Sequence, residues 1–353
     1  MDFHKLFEQS GQWLQGAGPE SDIVISSRIR LARNLQGHKF CTRAADAESG
    51  KIFDRIAAVV TKDGFAEKLQ AECVRDLPPL YRQFLVERHL ISKELSKSNL
   101  KTGLVFNTRE SIGIMVNEED HLRIQTINSG LQLETCWQTA AAVDDWLEQN
   151  LEFAFSPRFG YLTACPTNVG TGLRASVMLH LPALAMTSQI DKIFHALSKL
   201  NLVVRGLFGE GTSALGDFYQ ISNQATLNRD EPGIMETIHR IIPQILQYER
   251  SIRQNLLKEQ SSSLQDKIWR SLGILKNARR LQSEEALDCL SAVRLGINLG
   301  VLPDIEIHTV NDLFILSQPA HLRMLHGGMQ EDADIEALRA DVMRARLKDG
   351  GKA

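Results

Sequence analysis

The chain has 353 residues, 43% hydrophobic and 24% charged, enough for one large or two medium domains with proper cores. A formal net charge of −3 excludes a nucleic-acid partner held by bulk charge. The five cysteines, Cys41, Cys73, Cys136, Cys165 and Cys289, are scattered with no Cys-x-x-Cys pair, which fits a reducing compartment and excludes a disulfide scaffold or an ordinary zinc site. The first residues lack the basic start and apolar run of a signal peptide, and no apolar run is long enough to span a bilayer. A cytoplasmic protein without nucleic-acid or membrane partners is expected.

Residues 1–20 read as a short amphipathic lead-in. Ile23, Val24 and Ile25 then predict a strand, and Arg28 and Arg30 alternate with Ile29 and Leu31. In an extended segment both arginines take one face and both apolar residues the other. Helical spacing follows over 46–62 and 79–97. Two strands are predicted between 101 and 116, and the second runs into Asn117-Glu-Glu-Asp-His-Leu-Arg123. Strand ends of this kind hold side chains firmly yet leave them accessible, although an ordinary charged turn has the same composition.

A helix is predicted over 131–151, with Trp137 and Trp146 as packing residues. A strand-like approach, Phe153 to Leu162, leads into Thr163-Ala-Cys-Pro-Thr-Asn-Val-Gly-Thr-Gly-Leu-Arg-Ala-Ser176. Gly170 and Gly172 let backbone approach a ligand, and Arg174 beside them suits a phosphate, whose oxygens its planar fork matches. The stretch is neither a Walker A loop nor a dinucleotide fingerprint. A helix-like apolar run over Val177–Met186 is expected next, then helix over 181–199. Leu202-Val-Val-Arg205 reads as a strand entering a glycine loop that carries Glu210, and 216–227 holds a last strand. From Asn228-Arg-Asp-Glu-Pro-Gly233 the pattern turns helical, with Ile234, Ile238, Ile241, Ile245, Ile252 and Leu256 in register. Further helices are predicted over 263–280, 284–299 and 332–348. The domain boundary falls near 230, giving residues 1–230 and 231–353.

Four strand-to-loop sites thus offer the same residue types: Arg28 with Arg30; Glu118, Glu119 and Asp120 with Arg123; Cys165 with Arg174; Arg205 with Glu210. Five convergent arginines suit a triphosphate, and carboxylates without a nearby lysine suit a guanidinium.

Ser27-Arg-Ile-Arg30, Asn117-Glu-Glu-Asp-His-Leu-Arg123, Cys165-Pro-Thr-Asn-Val-Gly-Thr-Gly-Leu-Arg174 and Arg205-Gly-Leu-Phe-Gly-Glu210 resemble the motifs of the ATP:guanido phosphotransferases. That resemblance covers about residues 20 to 228. Within the superfamily the chain looks most like bacterial protein-arginine kinases of the McsB type, also through Leu287-Asp-Cys-Leu-Ser-Ala-Val-Arg-Leu-Gly296 and Gln318-Pro. The resemblance implies an α+β fold: a phosphagen-kinase-like catalytic domain, an antiparallel sheet flanked by helices, followed by an all-helical C-terminal domain for dimerisation and substrate docking. It implies that Arg28, Arg30, Arg123, Arg174 and Arg205 hold the phosphates of ATP, while His121 either supports that site or is a structural histidine. Glu119 and Glu210 would clamp the guanidinium, Glu119 as general base, with Cys165 against it. Mg²⁺ would ride on ATP and water rather than in a protein cage. Substrates would be proteins with exposed arginines, and the product phosphoarginine would mark them for a Clp ATPase/protease. A homodimer and an activator protein belong to the same expectation. Only 27 residues precede Arg28, too few for the domain that encloses a free guanidine in classical phosphagen kinases. A small-guanidine kinase is the alternative, and an adaptor on an inactive kinase fold a more remote one. In the last helix, Ile335-Glu336 stands where the McsB type carries an Arg-Asp pair that reads phosphoarginine.

Overall fold

The computed structural model describes residues 6–7, 9–62, 65–206, 215–327 and 334–348. Its strands are β1 (Val24–Arg33), β2 (Gln70–Cys73), β3 (Gly103–Phe106), β4 (Ile112–Val116), β5 (Leu122–Ser129), β6 (Phe155–Ser156), β7 (Gly160–Tyr161), β8 (Leu173–His180), β9 (Leu202–Gly206) and β10 (Phe218–Asn223). Eight of them form one sheet in the order β2-β3-β4-β5-β1-β8-β10-β9, and β6 and β7 form a separate hairpin. The β2/β3, β3/β4, β4/β5 and β1/β5 ladders are antiparallel. This is the mixed α and β architecture with an antiparallel sheet that the motifs imply.

The described residues pack as two compact units, neither continuous in sequence. The first gathers residues from 1–13, 26–177 and 222–238; the second gathers 14–25, 178–221 and 239–353. The first contains α1 (Asp46–Val60), α2 (Pro79–Glu87), α3 (Lys93–Lys97) and α4 (Leu133–Glu148). Alternation along β1 sets its layers. Ile29, Leu31 and Arg33 are buried on the face that meets α4, where Arg33 donates to Asp144 at 2.7 Å. Thr126 of β5 donates to the Cys136 carbonyl of the same helix at 2.7 Å. Arg28, Arg30 and Arg123 therefore take the opposite face.

Two expectations change here. The apolar run from Val177 is not helical at its start; Leu173–His180 is a strand, and the helix α5 (Pro182–Met186) begins only at Pro182. Residues 175–180 are buried throughout, so the strand shows no alternation and resembles a buried helix in sequence. Proline then suits a helix's first turn, where its missing N–H costs nothing. The stretch 79–97 is likewise two helices, broken at His89, whose φ of 58° lies in the left-handed region.

The second unit adds α6 (Ile190–Lys199) and the helices α7 (Glu231–Glu259), α8 (Ser261–Asn277), α9 (Ser283–Asn298), α10 (Ile307–Leu316), α11 (Pro319–Leu325) and α12 (Ile335–Lys348), α7 starting in the first unit. The sequence pattern missed α10 and α11, which are short and set off by Pro303 and Pro319. No strand follows residue 223 among the described residues.

A buried polar chain organises this unit. Arg294 of α9 donates to the carbonyls of Ser21 and Asp22, to Asn311 Oδ1 and to His180 Nδ1, all at 2.7 to 3.1 Å. Because Arg294 donates to Nδ1, His180 carries its proton on Nε2 and donates to Ser291 Oγ at 2.9 Å. Ser291 in turn donates to Asp217 at 2.6 Å. Burial, then the Arg253 charge, push the Arg294 pKa down to about 9, so it remains charged at neutral pH. Burial and the same two arginines hold His180 neutral. Replacing Arg294 by Met leaves several buried acceptors unmatched, and a denaturant titration should show a loss of about 3 kcal/mol.

Candidate active site

The first unit brings the arginines together by register. Arg123 of β5 pairs with Ala32, two residues beyond Arg30 on β1, and so shares its face. On the other side of β1, Ala32 N–H donates to the Gly172 carbonyl at 3.0 Å, and Ser176 Oγ donates to the Arg28 carbonyl at 3.3 Å. This places Arg174 of β8 across from Arg30. A side chain on Gly172 would collide with the Ala32 carbonyl at 2.6 Å, and its φ of +65° favours glycine as well. At Gly170, with φ +113°, an added side chain would meet the Thr226 carbonyl at 2.8 Å. Gly172 is thus required for β8 to reach β1, which is what brings Arg174 beside Arg30.

The electrostatic signature sits on Arg30. Its pKa is lowered well below the usual guanidinium value, first by burial and then by Arg28, Arg123 and Arg174; Glu118 opposes this. Its Nε is buried with no hydrogen-bond partner. Four cations gathered on one sheet face repel one another, which costs stability. A polyanion relieves this repulsion, so the residues fit a nucleotide's phosphates.

The β4–β5 turn supplies the carboxylates. Arg123 donates to Glu118 at 2.7 Å and to Glu119 at 3.2 Å. Glu118 is nearly covered, whereas the Glu119 side chain is 40% exposed. Burial raises the Glu119 pKa; Arg123 opposes this, Asp120 and Glu118 add to it, and a hydrogen bond from Cys165 lowers it. Cys165 also lies 3.0 Å from the Thr167 hydroxyl. The turn and the Cys165 loop are tied through one buried carboxylate. Asp120 Oδ1 accepts from Asn34 Nδ2 at 2.6 Å and from Ala164 N–H at 2.7 Å. Asn34 Nδ2 also donates to the Leu162 carbonyl, and Asn34 Oδ1 accepts from His121 N–H.

The first unit thus brings together a carboxylate with raised pKa, a thiol beside it and a cluster of guanidinium groups. The family described as ATP:guanido phosphotransferase, C-terminal catalytic domain, matches residues 51–252. The chain belongs to that family. A second family, the protein-arginine kinase McsB C-terminal domain, matches residues 261–352. The protein-arginine kinase of Halothermothrix orenii is 47% identical over 95% of this chain and 96% of its own length. That of Symbiobacterium thermophilum is 47% identical over 98% and 99%. Among solved structures, the lombricine kinase structure aligns with a TM-score of 0.59 at 25% identity, covering 68% of this chain and 70% of that one. A duplicated taurocyamine kinase from Schistosoma mansoni aligns at 0.61 and 26% identity, covering 67% of this chain and 34% of that one.

As a guanidino phosphotransferase, the chain has its anticipated residues placed as follows. Arg28, Arg30, Arg123, Arg174, Glu119 and Cys165 belong to the first unit, and the charges of the four arginines meet at Arg30. Arg205 lies on β9 in the second unit. Glu210 lies outside the described residues. His121 leaves the phosphate set: Leu35 N–H donates to its Nδ1 at 2.9 Å, so Nε2 carries the proton and donates to the Lys39 carbonyl at 2.9 Å. With both nitrogens committed and burial lowering its pKa, His121 is a neutral brace for the chain after β1. Sequence reasoning did not single out Asn34, whose partner Asp120 is 86 positions away, nor Asn223, which brackets β8 by accepting from Ala175 N–H and donating to the Leu173 carbonyl. Motif spacing carries no signal for such long-range pairs.

Replacing Arg30 by Met removes one like charge. The ligand-free variant should gain about 1 kcal/mol in stability, because its repulsion and desolvation are gone. It should also lose the rise in melting temperature that saturating Mg-ATP gives the unsubstituted protein, a gain of about 2.7 kcal/mol at a hundred times Kd. Thermal scans with and without nucleotide check both.

Proposed function

We propose that the chain transfers the γ-phosphoryl group of ATP to the guanidinium of arginine side chains in proteins, giving phosphoarginine and ADP. Protein-arginine kinases match over nearly the whole of both chains, and the C-terminal match is to a domain specific to them. The observation that carries the residue roles is the four-arginine cluster beside the raised-pKa carboxylate of Glu119.

Arg28, Arg30, Arg123 and Arg174 bind the phosphates and meet the charge that spreads over the phosphoryl oxygens in flight. Arg205 is a fifth cation by its place in Arg205-Gly-Leu-Phe-Gly-Glu210, and Glu210 a second clamp on the guanidinium by the same motif. ATP brings Mg²⁺ with it; among the described residues no group of three or more His, Cys, Asp or Glu is set to hold a metal.

A charged guanidinium is a poor nucleophile with a pKa above about 12, so a base must take a proton as the N–P bond forms. Glu119 takes that proton. It is the more exposed of the two turn carboxylates and its bond to Arg123 is the longer, whereas Glu118 is committed to Arg123. Its raised pKa makes it a stronger base than an ordinary glutamate. Cys165 lies against the same carboxylate and fixes its orientation. Asp120 and Asn34 hold the two loops in register, which matters because small misplacements cost rate steeply.

The helices from residue 231 onward serve dimerisation and substrate docking in this reading. An activator protein, delivery to a Clp ATPase/protease and a cytoplasmic setting belong to it too. No helix among the described residues is long and apolar enough to cross a membrane.

The deciding assay offers Mg-ATP with either an arginine-rich protein or free L-arginine. Acid-labile phosphate on the protein and not on the amino acid is expected; strong turnover of free arginine alone would instead make the chain a small-guanidine kinase. Glu119→Gln should lower kcat by about 10²- to 10⁴-fold, the usual worth of general base catalysis. The base acts deprotonated and its pKa is raised, so the rate should fall with acidification at a pH above that of an ordinary glutamate, near 4.3. A pH–kcat/KM profile checks this, and the acid limb should be missing in the glutamine variant's residual activity.

A further inference from the structure

The approach to Cys165 is not a plain strand but a hairpin of two short strands, with Phe155 opposite Tyr161 and Ser156 opposite Gly160. Its aromatic side chains are unusually bare: Phe155 is 55% and Phe159 is 43% exposed. Exposed aromatic rings are costly to solvate and mark binding surfaces when they cluster. The Phe155 ring stands edge-on to Tyr161 at 5.3 Å, and Arg158 lies 4.9 Å over the Phe159 ring.

This hairpin is firmly mounted. Tyr161 is fixed from beneath by the Arg33 guanidinium, 3.5 Å from its ring centre. Its backbone exchanges hydrogen bonds with Gly170, at 2.8 and 3.3 Å. The next residue, Leu162, accepts from Asn34, the same side chain that binds Asp120 beside Glu119. A rigid mount under bare rings is the arrangement of an anchor and not of a loose loop. Tyr161 and Cys165 are four positions apart in sequence, which limits their distance to about 14 Å.

We propose that Phe155 and Phe159 form a docking surface for the protein substrate, taking an apolar side chain that lies within about six residues of the target arginine along an extended segment. The inference rests on the protein-arginine reading of the adjoining site. The hairpin is tied to that site through Leu162 and Asn34, the latter bonded to Asp120. A second copy of this chain is the poorer occupant. Two half-exposed rings offer on the order of 200 Å², against about 800 Å² per partner in a stable interface. A short peptide segment, whose target arginine is held at Glu119, needs only such a local anchor. The consequence is a preference among arginines by their neighbours, supplied by the catalytic unit itself.

The test uses the full chain and two peptides with the same central arginine, one flanked by leucine and phenylalanine, the other by serine and glycine. The double variant Phe155→Ser, Phe159→Ser should raise KM for the apolar-flanked peptide about 5- to 30-fold, the effect of losing one buried apolar contact. KM for the serine-flanked peptide and for ATP should be unchanged, and Phe155→Leu should keep most of the preference. An equal loss with both peptides would reduce the hairpin to a support for the Cys165 loop and overturn the proposal. So would an unchanged apolar preference in the serine variant. If the unsubstituted protein phosphorylates free arginine but neither peptide, the protein-arginine reading itself fails, and the docking surface with it.

Discussion

Repulsion among arginines is the constraint that the catalytic unit is built around. Arg28, Arg30, Arg123 and Arg174 come from three neighbouring strands and share one face, and Arg30 carries the effect as a depressed pKa. Like charges at such range are tolerated only where the scaffold holds them. Here the opposite face does the holding. Ile29 and Leu31 are fully buried, and Arg33, the next arginine on β1, is turned to that side and neutralised by Asp144. Strand alternation therefore separates a paired, structural arginine from the clustered ones within six residues.

The second constraint is registration between loops distant in sequence. The carboxylate turn at 117–121 and the loop at 163–172 have little secondary structure of their own beyond a short 3₁₀ turn at Pro166–Asn168. They are joined by Asn34, Asp120 and the backbone at Leu162 and Ala164. Asp120 is fully buried, and its second oxygen has no hydrogen-bond partner. A buried carboxylate satisfied on one oxygen is expensive, which fits its pKa, raised first by burial. Asp120 spends that cost on holding Glu119 next to Cys165, and its charge also helps raise the pKa of Glu119.

What could be read from sequence follows from the range of each interaction. Alternation in β1 is local, and it put Arg28 and Arg30 on one face as expected; the glycines before Arg174, expected to let backbone approach a ligand, instead let backbone approach Ala32 and Thr226. The Leu173–His180 strand was misread at its C-terminal half because burial on both faces erases the period. His121 stands inside the Asn117–Arg123 motif, but the direction of its ring is set by Leu35 and Lys39, more than 80 positions away, which no local pattern encodes. The division into units was equally hidden, since residues 14–25 and 178–221 pack with the C-terminal helices. The carbonyls of Ser21 and Asp22, taken by buried Arg294, show why that early segment belongs there.

Arg123 joins the two halves of the chemistry. It lies among the cations that surround Arg30, yet its hydrogen bonds go to Glu118 and Glu119. The carboxylate turn thus already holds a guanidinium, in the geometry that suits one. The 2.7 Å bond to buried Glu118 is the firmer and the 3.2 Å bond to exposed Glu119 the weaker, so the carboxylate assigned to the incoming substrate is the one Arg123 holds less tightly. In the proposed reading, phosphate oxygens compete for the same N–H groups, and each donor they take from Glu119 leaves that carboxylate with less positive charge and a higher affinity for protons. Charge on the arginine face would then strengthen the proposed base on the neighbouring turn, through a single side chain shared by both.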